Sequence, residues 1–236
     1  MKLSFFPLLG AATFLFVAAF VLNQQKKHLS KTLRVPPSKN IRYFTLGYQE
    51  ALADSFWLRF LQDLGVCFKD EQQTHAFRDG LRVFCQENSW GFLVLDVVTD
   101  LAPRFQMPYW TGGLALSVLS KDYKGAGIIF EKGIKNFPND WNLIYYAATH
   151  FLLNEHNKKR AAELYQMAVE RGAPGWVGSL SARLYSQTGR LLLGINLLED
   201  FLKKNPHNRF QKRLRRRLKE LKAQYEELQK QKNSSS

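Results

Sequence analysis

The chain has few of the residues from which metal and redox sites are usually built. Its 236 residues include two cysteines and five histidines. Cys67 and Cys85 are separated by eighteen positions and form no CxxC motif, so they give no case for a metal site. His150 and His156 are six positions apart, a spacing that does not place two ligands on one helical face. We therefore expect no metal and no cofactor.

The sequence also lacks the alternation of apolar and polar residues that is typical of strands. No such run occurs between residues 40 and 206, although 45% of the chain is hydrophobic, which is ample for a core. Ser179 and Ser181 have no histidine near them in the sequence, and no other catalytic set is apparent. We predict an all-α protein that is not an enzyme.

Acidic residues are scarce, with 20 Asp or Glu against 34 Lys or Arg. Half of the net charge of +14 lies between Arg209 and Lys232, where ten Lys or Arg face three Glu, a net of +7. This run is either a solvated helix face or a surface for anionic lipid or another acidic polymer. No nucleic-acid motif accompanies it, which argues against nucleic acid. The candidate anion-binding residues are Lys212, Arg213, Arg215, Arg216, Arg217 and Lys219.

Charge is absent from the twenty residues between Leu3 and Leu22. As a helix they would span roughly 30 Å, the thickness of a bilayer core. We predict a membrane anchor at residues 1–23 and a basic linker at 24–42, with a cleaved signal peptide as the alternative. The basic linker favours a cytoplasmic domain by the positive-inside rule, and a periplasmic domain stays open. Cys67 and Cys85 could form a disulfide if the domain lies in the oxidising periplasm, but not in the reducing cytoplasm.

A repeated helical frame is the strongest positive signal in the sequence. In its clearest copy a small residue, Ala126, is followed by Phe130, Gly133 and Pro138, at offsets of four, seven and twelve. Offsets of four and seven place residues on one stripe of a helix, and the proline ends it. Copies start at positions 91, 126, 161 and 194, and the intervals of 35, 35 and 33 residues are typical of stacked helical hairpins.

A second apolar helix precedes three of the frames, and a short polar turn joins each pair, which favours antiparallel packing. These features resemble the tetratricopeptide repeat family, and specifically its membrane-anchored bacterial members of unassigned activity. The resemblance implies a solenoid of about four hairpins at residues 43–206, with an insertion at 65–89, that binds a protein or peptide partner. It places five residues in the partner groove: Asn142, Tyr145, Thr149, Trp176 and Arg183. For Tyr145 and Trp176 a core position is the alternative.

The repeats are followed by a predicted basic helix at residues 207–232 and a disordered tail at 233–236. A narrow apolar seam runs along this helix at intervals of three and four, and consists of Phe210, Leu214, Leu218, Leu221, Tyr225 and Leu228. The seam either caps the last hairpin or forms a short coiled coil. The sequence as a whole predicts a non-catalytic, membrane-anchored scaffold or adaptor.

Overall fold

The structure, a computed structural model, describes residues 36–64 and 88–234. These residues are helical, with no strand among them, which confirms the all-α prediction. The predicted anchor from Leu3 to Leu22, both cysteines and most of the predicted insertion lie outside the described residues. Within the described ranges, no helix combines the length and the apolar character needed to cross a bilayer.

A 3₁₀ turn at Lys39–Tyr43 precedes the nine helices of the described ranges. The helices are α1 (Gln49–Asp63), α2 (Trp90–Leu101), α3 (108–120), α4 (Tyr123–Asn136), α5 (Trp141–Leu153), α6 (Lys158–Glu170), α7 (Gly175–Gln187), α8 (Leu191–Lys204) and α9 (Gln211–Ser234). The polar turns predicted after α3 and after α5 are confirmed. The last helix continues two residues into the segment for which we predicted disorder.

Small residues of the repeated frame lie where helices approach closely. Ala126 and Phe130 on α4 are fully buried. A Cβ atom added to Gly133 would lie 2.9 Å from Tyr109 Cβ, and one added to Gly194 would lie 2.8 Å from the carbonyl oxygen of Ala182. Both distances are shorter than a normal van der Waals contact. Glycine at these positions lets α4 pack on α3, and α8 on α7.

Asp122 links the N-termini of α2 and α4. Its Oδ1 accepts a hydrogen bond of 2.9 Å from the Gly125 amide, which caps α4, and its Oδ2 accepts one of 2.8 Å from the Ser89 amide. Ser89 in turn caps α2, because its Oγ accepts the Phe92 amide at 3.0 Å. An N-cap of this kind stabilises a helix by about 0.5–2 kcal/mol. One buried carboxylate therefore orients α2 and α4 together.

Helix α3 is irregular over most of its length. Pro108–Gly112 and Leu116–Ser120 are π-helical, and they flank the short α-helical Gly113–Ala115. Each of its two central glycines faces a bulky side chain of a neighbouring helix. A Cβ atom added to Gly112 would lie 2.9 Å from Leu95 of α2, and one added to Gly113 would lie 2.9 Å from the ring of Phe130 of α4. The glycine pair therefore lets α3 sit against both α2 and α4.

Asp96 joins α2 to two other elements. It is 3% exposed, it pairs with Lys132 of α4, and its Oδ2 lies 2.5 Å from Lys39 Nζ in the 3₁₀ turn. Burial acts to raise the pKa of Asp96, but the two ammonium groups outweigh it and hold this pKa below its ordinary value. The carboxylate thus stays ionised and holds the 3₁₀ turn against α2.

The seam of α9 docks on the last hairpin, as the cap prediction requires. Leu214 is fully buried and Leu221 is 2% exposed, and both pack in a cluster with residues of α7 and α8. Leu228, further along the seam, is 54% exposed. The first half of α9 therefore covers apolar surface that α7 and α8 would otherwise leave in water.

Candidate functional site

Four aromatic rings from α3, α5 and α7 form a continuous row, which we call the aromatic row. Trp110 stacks on Tyr146 with 5.9 Å between ring centroids and 7° between ring planes. Tyr146 meets Tyr145 at 5.7 Å, and Tyr145 meets Trp176 edge-to-face at 5.5 Å. All four side chains are half-buried. Each ring therefore packs against the core on one side and leaves part of its surface open.

The row contains two of the predicted groove residues, Tyr145 and Trp176. A third, Thr149, lies one turn after Tyr145 on α5 and donates a hydrogen bond of 2.9 Å to its carbonyl oxygen. The same hydroxyl lies 3.0 Å from the hydroxyl of Tyr165, a buried residue of α6 whose pKa is raised by burial. This contact fixes the position of Thr149 beside the row. The structure thus brings these three predicted residues together.

The other two predicted groove residues, Asn142 and Arg183, are exposed. Asn142 lies on the same stripe of α5 as Tyr145, three residues before it, and Arg183 lies seven residues after Trp176 on α7. Helices α3, α5 and α7 contain no Asp or Glu. The face around the aromatic row therefore combines rings, hydroxyl groups and one cation, without a carboxylate on these helices.

The sequence prediction did not identify Trp110 and Tyr146 as part of this face. Each is half-buried and aromatic, and in the sequence such a residue cannot be distinguished from one in the core. The only signal for this face in the sequence was that both residues lie on the first helix of a predicted helix pair, 36 residues apart.

The candidate anion-binding residues of α9 divide into two groups. Lys212, Arg213, Arg216 and Arg217 line a cleft of about 490 Å³, together with Glu220 and with Ser179 of α7. We call this the basic cleft. The remaining two candidates, Arg215 and Lys219, are not among its lining residues.

Charge in the basic cleft is unbalanced. Glu220 is its single carboxylate, and Glu220 Oε2 accepts a hydrogen bond of 2.6 Å from Arg217 Nη1. The Nε atom of Arg217 is buried and has no hydrogen-bond partner among the described residues. Ser179 is 3% exposed. Four cations against one carboxylate leave a local net charge of +3.

No family model matches this chain, and no curated protein matches it.

A buried Ser–His–Glu set joins α3 to the end of α5. Ser117 Oγ lies 2.9 Å from His150 Nδ1, and His150 Nε2 lies 3.2 Å from Glu155 Oε1. A carboxylate only accepts, so the proton of the neutral ring lies on Nε2. Ser117 Oγ also lies 3.1 Å from Asn154 Oδ1. Burial lowers the pKa of His150, although the Glu155 carboxylate opposes this, and the ring is neutral at pH 7.

The order serine, histidine, carboxylate is that of a catalytic triad, but the two ring nitrogens are exchanged, because in a triad the serine bonds Nε2 and the carboxylate bonds Nδ1. Ser117 is 3% exposed and His150 is 2% exposed, and neither lines the basic cleft. We interpret the set as a structural tie between helices, one that sequence reasoning missed because Ser117 and His150 are 33 residues apart. In the described ranges no three His, Cys, Asp or Glu side chains are grouped so as to hold a metal ion.

Proposed function

We propose that the chain is a non-catalytic scaffold of the tetratricopeptide type, with about four hairpins, that holds a peptide segment of a protein partner along the aromatic row. The observation that carries the proposal is the row itself. Half-exposed Tyr and Trp side chains are the commonest anchors of protein interfaces, because they offer a large rigid surface and a polar tip. Here four of them adjoin on three helices.

The chemistry of the face favours an acidic partner segment with apolar side chains. The aromatic row would take the apolar side chains. The absence of carboxylates on α3, α5 and α7, together with exposed Arg183 and the basic start of α9, favours negative charge on the partner. A basic segment would find no complementary charge on these three helices.

A peptide selection tests the proposal and does not require that the partner be identified first. Random twelve-residue peptides are displayed and selected on the full chain, and enriched peptides are measured by fluorescence anisotropy. We expect acidic sequences that contain aromatic or aliphatic residues. The Tyr146→Ala variant should weaken their binding about tenfold, which corresponds to about 1.4 kcal/mol for one interface anchor.

Ile128→Ala is the matched control, since Ile128 is 47% exposed on α4 and lies outside the row. It should change the affinity less than about twofold, because contacts at the rim of an interface contribute little to binding. Circular dichroism of both variants checks that they are folded. Equal losses for the two variants, or selected peptides without acidic residues, would count against the proposal.

We further propose that Leu3 to Leu22 anchors the scaffold in a membrane, with the repeats in the cytoplasm. The support is the charge-free span in the sequence and the basic linker that follows it. Fractionation of the native protein and mass spectrometry of its N-terminus test this. A soluble chain that begins near Phe20 would contradict it and support the exported alternative.

A further inference from the structure

We propose that the basic cleft is a binding site for a phosphate ester, independent of the aromatic row and of the peptide that we propose for it. The residues that would bind the phosphate are Lys212, Arg213, Arg216 and Arg217, and Ser179 of α7 forms part of the opposite wall. This goes beyond a general attraction of the basic tail to anionic surfaces, because it requires particular residues on one face of α9.

The distribution of charge in α9 is the first argument. The four cations occupy the first two turns of the helix, and the first turn contains no acidic residue. A helix N-terminus carries partial positive charge, so cations there are unfavourable and an anion is favourable. Glu220, the single carboxylate of the cleft, compensates only part of the charge. An anion in the cleft would relieve this repulsion.

The donors in the cleft are the second argument. Three of its four cations are arginines, whose planar groups bind phosphate oxygens in pairs. Arg217 lines the cleft, and its Nε is buried without a partner among the described residues. Ser179, which is 3% exposed, lines the cleft opposite these cations. The guanidinium groups of the cleft suit acceptor oxygens.

The size of the cleft indicates what carries the phosphate. A volume of about 490 Å³ lies in the range of sites for small organic ligands, and it exceeds what one inorganic phosphate fills. The cleft therefore has room for a phosphate that belongs to a larger group, either a soluble ester or pyrophosphate, or the headgroup of a lipid. These sources share the chemistry that the cleft would recognise, and the experiment separates them.

The test compares two double variants with the same change in charge. Arg213→Gln with Arg216→Gln removes two cations that line the cleft, and Arg215→Gln with Lys219→Gln removes two cations of the same helix that do not line it, although all four are exposed. Calorimetry of the full chain measures the binding of pyrophosphate and of dihexanoyl phosphatidic acid, a soluble lipid with a phosphate monoester. We expect one saturable site for at least one of these probes.

The cleft variant should weaken this binding by about a hundredfold, since each lost charge-assisted hydrogen bond accounts for about tenfold or more. The Arg215→Gln, Lys219→Gln variant should weaken it less than about threefold. Tighter binding of pyrophosphate assigns a soluble source, and tighter binding of the lipid assigns a headgroup. Equal weakening by the two double variants, or binding of neither probe, would overturn the proposal.

Glu220→Gln provides a test that misfolding cannot mimic. The change removes the carboxylate that competes with the ligand and frees Nη1 of Arg217. Binding should become several-fold tighter. Unchanged or weaker binding would show that the ligand does not occupy this part of the cleft and would contradict the proposed site.

Discussion

Phe130 is the best position at which to test the packing of the hairpins. Its side chain is fully buried on α4, and its ring lies against Gly113 of α3 and 5.4 Å from the ring of His150 on α5. Phe130→Ala should therefore destabilise the fold by about 3–5 kcal/mol. For a domain of this size, that corresponds to a fall in Tm of about 6–20 °C. Phe137→Ala, at a half-buried position seven residues later, should have a smaller effect.

A double-mutant cycle with Gly113→Ala examines the same contact from α3. In the native chain the new methyl group would lie 2.9 Å from the Phe130 ring, and overpacking of this kind costs about 1–3 kcal/mol. Once Phe130 is alanine the clash is absent, and Gly113→Ala should instead stabilise α3 by about 1 kcal/mol through helix propensity. Urea unfolding followed by circular dichroism measures all four chains. If Gly113→Ala has the same effect in both backgrounds, the proposed contact does not exist.

Three other predictions concern pH, the last helix and the compartment. Burial lowers the pKa of His150 from its ordinary value of 6.5, so below that pH the unfolded chain binds more protons than the folded chain. The Tm should therefore fall as the pH drops below about 6.5, and it should fall less in the His150→Gln variant. Truncation after Asn208 exposes the surface under α9 and should lower Tm, whereas a fully independent α9 would leave it unchanged. In a cytoplasmic domain, Cys67 and Cys85 should both react with an alkylating reagent in the unreduced, denatured protein, and a quantitative disulfide would contradict this.

The frame positions were predictable because they depend on local spacing. Ala126 and Phe130 are fully buried, and so are Ala161 and Ala168 in the next copy of the frame. Residues at offsets of four and seven lie on one face of a helix, and in a pair of antiparallel helices that face packs against the partner helix. The same reasoning gave the seam of α9, because its leucines recur at three and four residues.

What the sequence did not predict depends on contacts between distant residues. Arg213 and Arg216 could be placed on one side of α9 from helical spacing, but the opposite wall of the cleft is Ser179, more than 30 residues earlier. The contact between Ser117 and His150 likewise crosses 33 residues. Local pattern gives the face of a helix, and it does not give the element that packs there.

The π-helical turns of α3 have a consequence for how this chain tolerates changes in length. A π turn closes its hydrogen bonds at i→i+5 and so holds one residue more than an α turn. Deletion of one residue within Leu116–Ser120 can restore α-helical bonding and leave both ends of α3 attached to their neighbours. The regular helices α5 and α6 contain no such spare residue, and a deletion there rotates every following side chain by about 100°. Among the described helices, α3 is therefore where a shortened relative of this protein would be expected to differ.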